Sequence, residues 1–180
     1  MKRVFCLMCF LVLSLIGCAK QKDDFLSFEF DKEGNYIGFS ATTNYTEPED
    51  AANKGFYVNK DGVFQGEKHW NDFCYEASNG DNASLRTIFI NDDGSNDYID
   101  LFYQDGLYYS FNSVSNNLGK KGYKYLLTLE NDPSADGTIT YYIILSNDNT
   151  LTYSKVFHDL ASSEKYMNDA DYKLISIGKK

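Results

Sequence analysis

The chain has 180 residues, of which 16% are aromatic, and a formal charge of −9. That length suits one ordinary domain with a proper hydrophobic core. The acidic balance repels phosphate backbones and anionic head groups, so it argues against nucleic acid as a partner.

The N-terminus opens with Lys2 and Arg3, runs apolar from Val4 to Ile16, and turns polar after Gly17 and Cys18. This is the order of a charged n-region, an h-region and a small residue before a processing site. The run is too short for a comfortable membrane span, which needs roughly 20 residues. The tetrapeptide Leu15-Ile16-Gly17-Cys18 resembles the lipobox of bacterial lipoproteins. The resemblance implies a diacylglycerol thioether on Cys18 and cleavage between Gly17 and Cys18, with the new amine open to acylation as well. Two or more chains anchor stably where one is marginal, since each buried methylene contributes about 0.8 kcal/mol. Residues 1–17 then form the signal peptide, 18–24 the lipidated cysteine and tether, and 25–180 a single β-rich domain. Ala19 is not the aspartate of inner-membrane retention, so the resemblance implies an outer-membrane address in a Gram-negative cell. Lys22-Asp23-Asp24 reads as a solvated tether and is also similar to a surface-export signal of some lipoproteins. Membrane contact is expected through lipid on Cys18, because losing Lys2 and Arg3 takes the charge to −11. Cys6 and Cys9 leave with the signal and Cys18 carries lipid, so Cys74 is the one remaining thiol and no intramolecular disulfide forms.

From residue 25 the pattern has a period of two. Residues 25–30 and 36–41 read as a hairpin around Gly34, and 44–54 as a longer loop with Pro48. Residues 55–58 and 63–66 flank Asp61-Gly62, which suits a primed turn. Residues 69–83 form the least regular stretch. A strand over 85–90 precedes the acidic loop 91–97. The strongest hairpin follows, with arms 98–103 and 107–112 across Asp105-Gly106. On its second arm Leu107, Tyr109 and Phe111 are assigned to the core, and Ser110 and Asn112 to water. Further strands are expected at 123–130, 138–145 and 151–157, the last with Leu151, Tyr153 and Phe157 inward. A short helix is expected over 162–170, capped by Asp159 or Ser162, before a closing strand at 173–177.

About ten short strands with turn signals between them predict an all-β fold, either a barrel or a β-sandwich. Successive tight hairpins favour an antiparallel up-and-down meander. A strand, a short helix and a final strand at the C-terminus resemble the lipocalin-like (calycin) barrels, which implies a barrel with one short C-terminal helix packed outside it. Where lipocalins carry Gly-x-Trp, this chain has Gly38-Phe39-Ser40, so no pocket residue carries over.

No catalytic motif stands out. His69, Asp72 and Cys74 lie close in sequence, but adjacency supplies neither the base contact nor the lowered pKa of a cysteine nucleophile. Cys74 therefore reads as a structural thiol. The loop from Asp92 to Asp97 has calcium-type oxygens, yet lacks the glycine and glutamate of an EF-hand, and reads as a turn. His69 and His158 are too few for a zinc site, so neither a metal nor a cofactor is expected. The tyrosine-rich strands suit a sugar-stacking platform or a hydrophobic cup as well as a core. The expected function is a non-enzymatic, lipid-anchored envelope or cell-surface protein that binds a small apolar molecule or a glycan. A protein-binding module, such as an inhibitor of an extracellular hydrolase or an envelope-assembly subunit, is the alternative. A hydrolase stands third.

Overall fold

The computed structural model describes residues 26–115, 120–162 and 171–180. In chain order the elements are α1 (Pro48–Asn53), β1 (Tyr57–Lys60), β2 (Val63–Gln65), α2 (Glu67–Ser78), β3 (Ala83–Ile90), β4 (Asn96–Gln104), β5 (Leu107–Asn112), β6 (Tyr125–Glu130), β7 (Thr140–Ser146), α3 (Tyr153–Ser162) and β8 (Tyr172–Lys179). The described chain is thus mostly β, with eight strands in two sheets ordered β2-β1-β3-β4-β5 and β6-β7-β8. Within the described residues the strands form no continuous hydrogen-bonded barrel. The meander also fails at one place: β1 and β3 pair in parallel, with β2 and α2 in the connection between them.

Three stretches differ from the sequence expectation, the first two because packing selects a helical period and the third because packing on the sheet replaces strand pairing. The irregular stretch 69–83 is largely α2, whose Trp70, Phe73, Cys74 and Ala77 recur at i, i+3, i+4 and i+7; the first three pack on the main core and Ala77 is buried. The expected strand 151–157 is the start of α3. Tyr153, Val156 and Leu160 lie against β7, while Phe157 stays exposed. The expected first hairpin keeps only the bridge from Phe30 to Tyr36, because its aromatic side chains lie on the larger sheet instead of adding strands to it. The helix expected over 162–170 lies outside the described residues, apart from Ser162 at the end of α3.

The turns match expectation. Asp61-Gly62 and Asp105-Gly106 both have positive φ at each residue, as a type I′ hairpin turn requires. Their φ values let the strand twist continue through the turn, and they fix the β1–β2 and β4–β5 registers.

The five-stranded sheet is buried on both faces. Its outer face carries Ile88, Tyr98, Phe102, Tyr109 and Phe111, covered by α1 and by the aromatic segment 26–39. Its inner face carries Leu85, Ile99 and Leu101, which meet α2 and the Ile143, Leu145 and Ile175 side chains of the smaller sheet. Ser110 sits on that inner face and is buried, so the expected watery face of β5 does not exist. The smaller sheet is covered in turn by α3, over Tyr142 and Ile144. Strand β8 runs across the larger sheet. Lys173 Nζ donates to the Ser110 carbonyl on β5 at 2.7 Å, while β8 also contacts β2 and its Lys179 lines a cleft with Val63 and Phe64 of that strand. Seven residues of strand reach roughly 23 Å, enough to cross five strands spaced roughly 4.8 Å apart.

Candidate functional site

The crossing leaves a notch where β8 meets β2. One wall is the inner face of the smaller sheet, through Thr128, Glu130 and Tyr141. The opposite wall is Tyr57 of β1, Phe64 of β2 and Trp70 of α2, and the cleft between the walls measures about 340 Å³. Tyr57 stacks on Phe64 with centroids 4.6 Å apart, and on Trp70 at 5.3 Å. Tyr141 faces Phe64 from the other sheet at 6.2 Å.

The position of Tyr141 depends on Gly178, its cross-strand partner on β8. A Cβ there would come within 2.2 Å of the Tyr141 ring, so glycine lets that ring lie flat over the backbone. The Tyr57 and Tyr141 hydroxyls interact across the cleft. Burial, then Tyr141 beside it, holds the Tyr57 phenol well above its ordinary value. The rim carries two carboxylates and two ammonium groups, Glu67 and Glu130 against Lys179 and Lys180. Lys180 Nζ donates to Glu130 Oε1 at 2.6 Å, and the four side-chain charges of the rim balance, two against two. The arrangement offers aromatic faces, hydroxyls and paired charges, with no nucleophile activated by a base.

The residues singled out in sequence are not brought together. His69 Nε2 lies 3.0 Å from the Ala52 carbonyl, toward α1, whereas Cys74 packs against the core between the sheets. Asp72 pairs with Lys68 on the surface of α2. Burial raises the Cys74 thiol to about 11, which suits an inert structural role. In the loop after β3, the Asp93 carboxylate accepts from Ser95 N–H and O–H, a local turn. Among the described residues no three His, Cys, Asp or Glu side chains group as metal ligands. Gly17 and Cys18 lie outside the described residues. No helix among the described residues is long and apolar enough to cross a membrane.

A second polar feature was not foreseen. Arg86 and Asp100 face each other across β3 and β4, 6% and 0% exposed. Arg86 Nε donates to Asp100 Oδ1 and Nη2 to Oδ2, both at 2.7 Å, and Tyr36 O–H donates to Oδ2 at 2.7 Å. Arg86 Nη2 also donates to the Gly38 carbonyl at 2.8 Å, and its guanidinium lies over the Phe39 and Tyr98 rings. Burial lifts Asp100 above the usual carboxylate value, with Arg86 and Tyr36 pulling the other way. This closed network fastens the aromatic segment to the sheet and leaves no room for a substrate. A charged pair in an alternating strand reads as solvent-facing, so only the register could have revealed it.

Comparison with known proteins yields no match, neither to a family model nor to a curated protein nor to a solved structure.

Proposed function

We propose that this chain is a lipid-anchored binding protein of the bacterial envelope, held at the outer membrane through lipid on Cys18, which takes a small neutral amphipathic ligand in the Tyr57–Trp70–Tyr141 cleft. The observation that carries the reading is an aromatic-walled cleft with balanced rim charges at an edge where two sheets part. Binding sites favour such places, concave and aromatic with a few polar groups that orient the ligand. We infer further that the two sheets form a flattened, calycin-like barrel opened along β2 and β8. Two observations support that: β5 reaches the chain before β6 through the Tyr108–Tyr123 bridge, and β8 lies beside β2. The interior between the sheets is filled by side chains, so the ligand belongs at the opened edge and not inside.

Trp70 is the sole tryptophan and lines the cleft, which makes its emission a direct reporter. Titrating the full-length protein, in a sugar-free detergent, with neutral apolar probes and neutral saccharides should give a saturable Trp70 shift that Tyr141→Ala removes. Cys18→Ala should abolish fatty-acid labelling in cells. Labelling that persists would sink the anchor, and a Trp70 signal silent across both panels would sink the cleft. A protein-binding module remains the second reading, because edge strands β2 and β8 expose Val63 and Ile177. It expects no Trp70 response to any small ligand.

A further inference from the structure

Next to the cleft lies a second hollow of about 480 Å³, lined by Asn131, Asp132, Thr152, Tyr153 and Ser154, and the two share one wall residue, Glu130. Glu130 ends the edge strand β6 on the inner face of the smaller sheet, beside Tyr141. Tyr153 of the second hollow lies on Tyr142 at the opposite, α3-covered face, so the two hollows meet around the end of β6. The first hollow is aromatic and the second is lined by hydroxyls, an amide and a carboxylate. In the second, Tyr153 is fixed by stacking on Tyr142 at 4.6 Å with the rings nearly parallel, so it presents a held edge.

We propose that the ligand is a neutral oligosaccharide that bends around the end of β6 to reach both hollows, with Glu130 at the join. This rests on the cleft being the binding site, and it adds the ligand class. Charge selects against the other classes. With carboxylates (Glu67, Glu130, Asp132) and ammonium groups (Lys179, Lys180) side by side, a charged ligand of either sign meets like charges as well as opposite ones and gains little net attraction. A purely apolar ligand would strip water from Glu67, Glu130 and Lys180 without replacing its hydrogen bonds. A sugar ring has an apolar C–H face, slightly positive, that suits the negative faces of Trp70 and Tyr141. Its hydroxyls donate to carboxylates, which are strong acceptors, and accept from ammonium groups. Extension follows from the second hollow, whose polar lining supplies hydrogen bonds and little apolar surface. It therefore adds affinity only for a chain long enough to reach it from the aromatic wall.

The test is a calorimetric and Trp70-emission titration of the full chain with gluco-, galacto-, manno- and N-acetylglucosamine-based saccharides of two and six units. The neutral probe N-phenyl-1-naphthylamine serves as the apolar comparison. At least one hexasaccharide should bind about tenfold or more tightly than its disaccharide, which on the affinity scale is one decade in Kd. Asp132→Ala should weaken that hexasaccharide several-fold and leave the disaccharide unchanged, whereas Glu130→Gln should weaken both. Asp132 and Glu130 are exposed, so these variants leave the core intact. If the naphthylamine binds and no saccharide does, the cleft stands and the oligosaccharide falls. If saccharides bind without length dependence and Asp132→Ala is silent, the second hollow plays no part and the inference is overturned. If nothing binds, both the cleft and this inference fail.

Discussion

Asp100 is the residue on which the outer layer of the larger sheet depends. Its carboxylate takes two donors from Arg86 and one from Tyr36, inside a site closed to water. Removing one partner of a buried ion pair leaves the other charge uncompensated, at about 3–5 kcal/mol. Asp100→Asn should therefore lower the urea midpoint sharply. The double variant Arg86→Met with Asp100→Leu should lose less than the two single losses combined, since no lone charge remains. Additive losses would show that the pair is not coupled. The tyrosines give a second signature at this scale. Burial raises Tyr36, with the Asp100 carboxylate adding to it, and burial raises Tyr57 in the cleft wall. Unfolded tyrosine titrates near 10, so above that pH the unfolded chain holds fewer protons than the folded one. Stability present below about pH 10 is then lost as pH rises, by up to about 1.4 kcal/mol per unit for each such tyrosine. Urea midpoints taken from pH 8 to 11 should fall, and Tyr36→Phe should flatten part of the fall. A flat profile in the unaltered protein would contradict the burial of both phenols.

Among the elements, the β4–β5 hairpin shows best what could be read in advance. Its turn follows from Asp105-Gly106, because only a residue tolerant of positive φ fits, and both residues take it. Gly106→Val should cost about 1–3 kcal/mol through strain, since a Cβ there meets no neighbour and the backbone angle is the whole penalty. The faces of β5 could not be read in advance. Alternation separates two faces but does not say that one meets water, and here both are covered. Phe111→Asp and Ser110→Asp should therefore both be strongly destabilising, whereas the alternating pattern alone makes the second nearly silent. Comparable urea midpoints for the two would agree with a doubly covered sheet, and a wild-type midpoint for Ser110→Asp would not. The same limit explains the helices. Trp70, Phe73, Cys74 and Ala77 carry a helical period, but the run has no capping residue at its start: Gly66 occupies that position with φ 81°. At the start of α3, Leu151 just before it and Tyr153 and Phe157 within it fit a strand, and Tyr153, Val156, Phe157 and Leu160 fit a helix equally well. The candidate cleft was legible only as an excess of tyrosine, because Tyr57 and Tyr141 meet through a sheet crossing that no local pattern encodes.

At the scale of the molecule, the two sheets share one core. Leu145 and Ile143 of β7 pack in the same cluster as Leu85 and Leu101 of the larger sheet and Phe73 of α2. Neither sheet has an inner face of its own to bury without the other, and the three-stranded one is near the lower limit for independent stability. The chain should accordingly unfold in one cooperative transition, as small domains with a single core do. Leu145 is fully buried, so Leu145→Ala should cost about 2–5 kcal/mol through lost contacts and the cavity left behind. The informative readout is Trp70, which sits on α2 against the larger sheet, far along the chain from residue 145. If the core is shared, Leu145→Ala shifts the Trp70 emission midpoint in urea by as much as it shifts the far-ultraviolet circular dichroism midpoint. Were the sheets to fold separately, Trp70 would keep its original midpoint while the dichroism signal split into two steps. The same measurement bears on the cleft, whose walls belong to different sheets: separate unfolding of the smaller sheet would remove Tyr141 and Glu130 while Tyr57 and Trp70 stayed in place. A coincident shift in both signals is the outcome expected of a binding cleft whose two walls are fixed by one core.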